Sequence, residues 1–187
     1  MLPLPLIVNF WVHTMKIGLF YGSTTCYTAM AAEKIQTEMG TELVDLHDIK
    51  ETSLSEIADY DVLIFGISTW DYGELQEDWG DLWDELDGID LNGKTIALFG
   101  LGDQVNYTEW YLDAMGMLFD QLQGKGAHFI GQWPNQGYEF VASKALTVDD
   151  NNFVGLALDE DSQYDLTEQR IANWSLQVLE QLQEQYS

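Results

Sequence analysis

The sequence predicts an α/β fold in which helices cover both faces of a parallel β-sheet. Short apolar runs alternate with segments of helical periodicity from Met15 to the end of the chain. A length of 187 residues suits one domain with a sizeable core. A hydrophobic content of 46% is typical of a globular chain. Strands that alternate with helices form parallel sheets, because each crossover helix packs on a sheet face.

Five short apolar runs are the candidate strands. They are residues 16–21 (KIGLFY), 42–46 (ELVDL), 61–68 (DVLIFGIS), 94–100 (KTIALFG) and 127–131 (AHFIG). A further apolar run at 153–158 (FVGLAL) follows a long irregular segment at 132–152. Because such a long irregular loop is uncommon in a compact domain, we interpret that segment as an insertion into the fifth strand.

Helical patterns occupy the intervals between these strands. The spacing of Trp79, Leu82, Trp83 and Leu86 predicts an amphipathic helix from Gln76 to Leu86. The other predicted helices run from a cap at Thr25 or a neighbour to Met39, over 53–60 with Ser53 as its cap, from Trp110 to Leu122, and from Leu166 to about Glu184.

The first fourteen residues, MLPLPLIVNFWVHT, differ from the rest of the chain. They are apolar and uncharged, contain two prolines and precede a second Met at position 15. A signal peptide needs a basic n-region and a small-residue cleavage site, and both are missing here. We therefore expect residues 1–14 to be an extension outside the fold and the domain to span 15–187. A short membrane-touching anchor is the alternative.

The charge balance excludes several function classes. The chain has 7 Lys and Arg against 32 Asp and Glu, a formal charge of −25. Nucleic acids and anionic membrane surfaces would be repelled, since both are bound through basic residues. Such acidity favours solubility or a basic protein partner. The single cysteine, Cys26, excludes an internal disulfide and fits a cytoplasmic location.

Three loops lie where a ligand would bind in an open α/β sheet, at the carboxyl ends of strands. The first, at 23–28, places Ser and Thr hydroxyls at the start of a helix without any Lys or Arg. Backbone N–H groups there can hold a phosphate, although ordinary helix capping is the alternative. The loop is not a Walker motif and lacks GxGxxG. Without a nearby Arg or His, Cys26 is disfavoured as a nucleophile.

The second and third loops, at 68–76 and 100–107, carry aromatic residues. Trp70 and Tyr72 flank a turn at Gly73, and Tyr107 comes from the next strand end. These rings either anchor the core or stack on a flat ring. Beside a phosphate nest, they describe a slot for a flat heterocycle that carries a phosphate.

These stretches resemble the flavodoxins, specifically the long-chain type. FYGSTTCYT resembles the family's phosphate-binding stretch, while TWDYGELQEDW and GLGDQVNY resemble its second and third flavin loops. VGLALDEDSQYDLTEQRI resembles the carboxyl-terminal region, so the resemblance runs from about Met15 to the end. It implies an open five-stranded parallel sheet of order 2-1-3-4-5 in a three-layer α/β/α fold. The segment at 132–152 corresponds to the long-chain insertion.

The resemblance also implies FMN as cofactor and assigns site residues. Trp70 and Tyr107 would cover the two faces of the isoalloxazine ring. The phosphate would lie among Ser23, Thr24, Thr25, Cys26, Tyr27 and Thr28; the N5 side would meet Asp71, Tyr72 and Gly73; the pyrimidine edge would meet Leu101, Gly102, Asp103 and Gln104; Asp161 would lie near the ribityl chain, and Ser68 and Thr69 complete the second loop.

Three site residues depart from the family pattern. Cys26 stands where the family usually has Gly, so the loop is strained if that position needs a positive φ. Ser68 stands where Pro is common, and Leu101 replaces a frequent Thr. We expect the last replacement to remove one hydrogen bond.

The resemblance implies a low-potential one-electron carrier that shuttles between the semiquinone and hydroquinone of FMN, not an enzyme. Nine acids and no Lys or Arg at 71–90 would disfavour the extra negative charge of fully reduced FMN. The expected partners are basic-faced redox proteins such as a ferredoxin/flavodoxin–NADP reductase. The chain itself is expected to be a monomer in the cytoplasm. The alternatives are an FMN-dependent NAD(P)H:quinone reductase of related fold and a flavin-free module such as a receiver domain, which the absent acidic cluster after strand one disfavours.

Overall fold

A parallel sheet forms the centre of the computed structural model, which describes residues 15–187. The strands, in chain order, are β1 Ile17–Tyr21, β2 Val44–Asp48, β3 Val62–Trp70, β4 Glu74–Leu75, β5 Thr95–Leu101, β6 His128–Phe129, β7 Trp133–Pro134, β8 Asn152–Phe153 and β9 Leu156–Leu158. The main path β2-β1-β3-β5-β6 is parallel throughout, which confirms the predicted order 2-1-3-4-5.

The fifth strand of this path consists of two pieces. β6 pairs with the start of β5, through Thr95 and His128, and β9 pairs with its end, through Leu101 and Leu158. Between the two pieces the chain leaves the sheet and forms the antiparallel pair β7–β8. The insertion, residues 132–152, therefore separates the two halves, β6 and β9, of one edge strand of the sheet.

Within residues 15–187 the structure has four α-helices and three 3-10 segments. The helices are α1 Tyr27–Met39, α2 Glu77–Asp81, α3 Asp113–Leu122 and α4 Thr167–Gln185. The 3-10 segments are Leu54–Asp59, Trp83–Gly88 and Tyr164–Leu166. Ser53 caps the first of these as predicted, since its side chain accepts the N–H of Ser55.

Each face of the sheet carries its own hydrophobic core. On one face Ile35 of α1 and Trp174 of α4 belong to a buried cluster with Leu19, Ile64 and Leu156 of the strands. On the other face the buried cluster joins α2 and α3 to the strands and to the insertion, through Trp79, Met115, Phe65, Leu98 and Ala145. Both faces are thus covered by helices, as the apolar strands predict.

Two predicted helices are wrong in extent. The segment 76–86 is not one helix, because α2 ends at Asp81 and a 3-10 turn follows. Like charges at i,i+4 spacing, Glu77 with Asp81 and Asp81 with Glu85, destabilise a continuous helix. The helix predicted from Trp110 begins only at Asp113, because Leu112 adopts a left-handed conformation at φ 60°.

No helix among residues 15–187 is both long and apolar enough to cross a bilayer. Residues 1–14, for which an extension was predicted, lie outside the described residues.

Candidate functional site

A cavity of about 310 Å³ opens where the three predicted loops meet at the carboxyl edge of the sheet. Cofactor pockets commonly measure about 300–1,000 Å³. Apart from Glu160, every lining residue was predicted for the site; the lining is Thr25, Tyr27, Thr28, Ser68, Thr69, Trp70, Asp71, Leu101, Gly102, Asp103, Tyr107, Glu160 and Asp161.

The first loop presents the amino terminus of α1. Cys26 is the N-cap, with φ 70° and ψ −15°, and its carbonyl accepts the first helical N–H, from Met30, at 2.9 Å. The first-turn N–H groups of a helix have no intrahelical acceptor and carry a partial positive charge. Ser23 Oγ accepts the N–H of Ala29 at 3.3 Å, and Thr24 Oγ1 accepts from Gln76 at 3.1 Å. These bonds fix the loop around an anion-attracting helix end.

The second loop is a hairpin between β3 and β4. Thr69 pairs with Leu75 and Trp70 with Glu74, and the N–H of Gly73 donates to the Trp70 carbonyl at 3.1 Å. Asp71 and Gly73 adopt positive φ, at 42° and 89°. The short strand β4 was not predicted, because a two-residue strand leaves no alternating pattern to read.

Three aromatic residues, Tyr27, Trp70 and Tyr107, line the cavity, and the last two each contact a neighbouring side chain. The indole Nε1 of Trp70 donates to Ser68 Oγ at 3.0 Å, so the serine found in place of proline restrains the ring. Tyr107 packs edge-on against Tyr72, with ring centroids 6.3 Å apart. Tyr72 is 69% exposed and also packs on Trp110 at 5.1 Å. It therefore lies at the rim of the cavity, outside its lining.

Carboxylates dominate the charge around the cavity. Asp71, Asp103, Glu160 and Asp161 line it, and no Lys or Arg does. Burial raises the pKa of Asp161, and the charges of Asp103 and Asp159 raise it further. Adding another negative charge inside the cavity is therefore unfavourable. Among residues 15–187, no group of three or more His, Cys, Asp or Glu could hold a metal ion.

A family model described as flavodoxin matches residues 19–174. The chain belongs to the flavodoxin family. It is 56% identical over 173 residues to Flavodoxin 2 of Escherichia coli strain K12, covering 92% of this chain and 100% of that one. It is 47% identical over 165 residues to Flavodoxin 1 of the same strain, covering 88% and 93%.

Solved flavodoxin structures resemble the fold as well. A Fusobacterium nucleatum flavodoxin bound to flavin mononucleotide superposes with a TM-score of 0.83 at 28% identity, covering 89% of this chain and 98% of that one. The three-layer architecture inferred from the strands is thus the flavodoxin fold.

In this flavodoxin some predicted residues lie behind the cavity surface. Gln104 is only 2% exposed; its Nε2 donates to Asp159 Oδ2 at 2.8 Å, and its Oε1 accepts the N–H of Glu139 at 2.6 Å. Ser23, Thr24, Cys26, Tyr72, Gly73 and Gln104 are absent from the lining. Of these, Ser23, Thr24 and Gln104 make side-chain hydrogen bonds that hold the loops, whereas Tyr72 lies at the rim.

Sequence reasoning missed Asp159, which holds the third loop to the carboxyl-terminal loop. Its fully buried carboxylate accepts the N–H of Gln104 at 3.1 Å, the Ser162 hydroxyl at 2.6 Å and the N–H of Asp161 at 3.0 Å. The only sequence signal was an acid directly after an apolar strand, which many exposed acids share.

Replacing Cys26 by glycine is expected to raise the free energy of unfolding of the apoprotein. A left-handed conformation costs an L-residue about 1–2 kcal/mol, partly offset by the greater chain entropy of unfolded glycine, so we expect a gain of about 1 kcal/mol. Urea unfolding measures it. Cys26→Ala is the matched control, because it keeps the Cβ; an equal gain in that variant would assign the effect to the thiol instead of the backbone.

Proposed function

We propose that this flavodoxin binds FMN non-covalently in the cavity and carries electrons singly between redox enzymes. The observation that supports the proposal is the meeting of Trp70, Tyr107 and the amino terminus of α1 at one cavity. Such a cavity offers stacking surfaces for a flat ring and N–H groups for a phosphate. FMN, when bound, supplies the one-electron chemistry.

The proposed binding residues fall into groups by the part of FMN they meet. The ring is held by Trp70 and Tyr107. The phosphate is held by residues 23–28, the N5 side of the ring by 71–73, and the pyrimidine edge by 101–103, behind which Gln104 fixes the third loop through Asp159. Asp161 lies near the ribityl chain, while Ser68 and Thr69 hold the second loop in shape. Thr69 Oγ1 supports this last role, since it accepts the N–H of Ala114 at 3.0 Å.

The surrounding acids make the bound cofactor a strong electron donor. Burial and the charges of Asp103 and Asp159 raise the pKa of Asp161, which supports a cavity that disfavours further negative charge. Because reduction would add negative charge to bound FMN, these acids would disfavour it and lower its reduction potential. The same acids discourage a negatively charged redox partner.

The proposed partners are basic-faced redox proteins, such as a ferredoxin/flavodoxin–NADP reductase, and neither nucleic acids nor membranes. The exposed carboxylates of Asp81, Asp84, Glu85 and Asp87 follow the second loop and support this choice. We further propose a monomer that works in the cytoplasm. Its one cysteine, Cys26, cannot form an internal disulfide, which supports a reducing compartment.

The test is to titrate the apoprotein with FMN and to photoreduce the complex without oxygen. We expect stoichiometric binding, two resolved one-electron steps in the visible spectrum, and reoxidation when an acceptor protein is added. No FMN binding would refute the proposal. Steady NAD(P)H oxidation without added reductase would instead identify a quinone reductase.

Salt is expected to slow electron delivery from a basic reductase. Between ionic strengths of about 0.01 M and about 1 M the Debye length falls from about 30 Å to about 3 Å, so steering is lost and the association rate falls at least about tenfold. Stopped-flow reduction measures it. Asp84→Asn with Glu85→Gln should weaken the salt dependence, whereas the matched pair Glu38→Gln with Glu42→Gln, at the far edge of the sheet, should preserve it. A salt-independent rate would contradict steering.

A further inference from the structure

Asp113 is a buried acid that the proposed function does not use. It is 2% exposed at the start of α3, where a negative charge is favoured by the helix dipole. Burial raises its pKa, and Lys144 lowers it in part through a hydrogen bond and its positive charge. A buried carboxylate is retained only with partners, so its contacts indicate what it holds.

The contacts of Asp113 join the insertion to the second loop. Its Oδ1 accepts the backbone N–H of Lys144 at 2.8 Å, and its Oδ2 lies 3.8 Å from the Lys144 ammonium. On its other side is Gly73: a Cβ on Gly73 would come within 3.0 Å of Asp113 Oδ2 and 3.1 Å of Trp110 Cδ1. The carboxylate therefore lies between Lys144 of the insertion and the 71–73 turn.

Other contacts make the same connection rigid. Thr108 O accepts the N–H groups of Val141 and Ala142, at 2.8 and 3.1 Å. A Cβ on Gly116 would lie 2.3 Å from the carbonyl carbon of Lys144, so the insertion backbone rests directly on α3. The insertion thus fixes the segment that carries Asp113 and Trp110.

We propose that Asp113 is a positioning residue through which the insertion sets the conformation of the 71–73 turn at the cavity. The inference rests on the proposed function, because the turn adjoins the proposed ring site. The charged groups on the packed elements are Lys144 on the insertion and the exposed Asp71 and Glu74 on the hairpin. Of these, Lys144 is the one that shifts the pKa of Asp113.

The first test is FMN binding with a conservative rescue. Asp113→Ala leaves the Lys144 N–H without its acceptor and empties the space under Gly73, so the dissociation constant should rise about tenfold. Asp113→Asn keeps the acceptor and should stay within about threefold of wild type. Asp149→Ala, an exposed acid of the insertion, is the control and should leave binding unchanged. Equal binding by wild type and Asp113→Ala would overturn the proposal.

The second test measures the two one-electron midpoint potentials of bound FMN as a function of pH. In wild type the difference between the two midpoint potentials should change with pH as Asp113 ionises, at a pH above the ordinary pKa range of an aspartate. This pH-dependent change should be absent in Asp113→Asn. Lys144→Met removes the ammonium that lowers the pKa, so the change should move to higher pH. We expect at least about a threefold effect, equivalent to about 28 mV for a one-electron couple. Profiles of both variants identical to wild type would overturn the proposal.

A third measurement needs no cofactor. The amide resonance of Gly73 in the ¹⁵N-labelled apoprotein should follow the ionisation of Asp113, and Asp113→Asn should abolish that titration. A titration unchanged in Asp113→Asn would overturn the contact between the two residues. If wild type bound no FMN, the proposed function would fail, while this experiment would still decide the role of Asp113.

Discussion

Trp79→Ala is expected to lower the free energy of unfolding of the apoprotein by about 3–5 kcal/mol, the usual cost of truncating a buried Trp. Trp79 is fully buried, packs edge-on against Phe65 at 5.9 Å, and donates its indole N–H to the Gly66 carbonyl at 2.9 Å. The truncation leaves a cavity between α2 and the sheet and removes one of two donors to the Gly66 carbonyl, which keeps the N–H of Gly22 at 3.3 Å. Urea unfolding measures the loss.

The same substitution reaches the first loop. A Cβ on Gly22 would lie 3.0 Å from Trp79 Cδ1, so the indole packs against the first loop. The backbone N–H of Trp79, which alanine keeps, donates to Gln76, and Gln76 in turn donates to Thr24. Trp79→Phe is the control: it fills most of the volume and should cost about 1–2 kcal/mol less than the alanine variant. A loss below about 1 kcal/mol in Trp79→Ala would show that the indole is not part of the core.

The strands could be predicted because burial on both faces leaves a mark in the sequence. Phe65 and Leu98 lie in continuous apolar runs, and both are fully buried. Parallel strands covered on both sides must be apolar throughout, so the pattern and the structure agree. The site followed from the same reasoning, because loops at the carboxyl ends of such strands meet at one edge.

What could not be predicted depends on contacts between distant segments. Asp113 and Asp159 are buried only because the insertion and the carboxyl-terminal loop fold over them. In the sequence, nothing distinguishes these two from the other acids among the 32 Asp and Glu. Gln104 was assigned to the cavity, but its side chain is occupied by Asp159 and Glu139. Helix α2 ends at Asp81 because acids four residues apart repel each other. The spacing of apolar residues, from which the helix was predicted, carries no information about this repulsion.

The family departures acquire a physical meaning only with coordinates. Ser68 supplies an acceptor for the Trp70 indole, so proline at this position would leave that N–H without its partner. Cys26 adopts the positive φ that the usual glycine would accept without strain. Leu101 lines the cavity but belongs to the buried core on one face of the sheet, and its apolar side chain cannot make the hydrogen bond that a threonine would make.

Trp70→Ala is expected to weaken FMN binding by about 1–3 kcal/mol, or about 5-fold to about 150-fold in the dissociation constant. The ring lines the cavity and is held by Ser68, so its orientation is set before the cofactor arrives. Truncation removes the apolar surface and the stacking that a flat ring would gain. Quenching of FMN fluorescence on titration with apoprotein measures the effect.

Ser68→Ala separates stacking from orientation, because it keeps the indole and removes only its hydrogen-bond acceptor. For this variant we expect less than about a fivefold loss of FMN affinity. Unchanged affinity in Trp70→Ala would remove the indole from the FMN site, and an equal loss in both variants would show that orientation, not ring area, dominates.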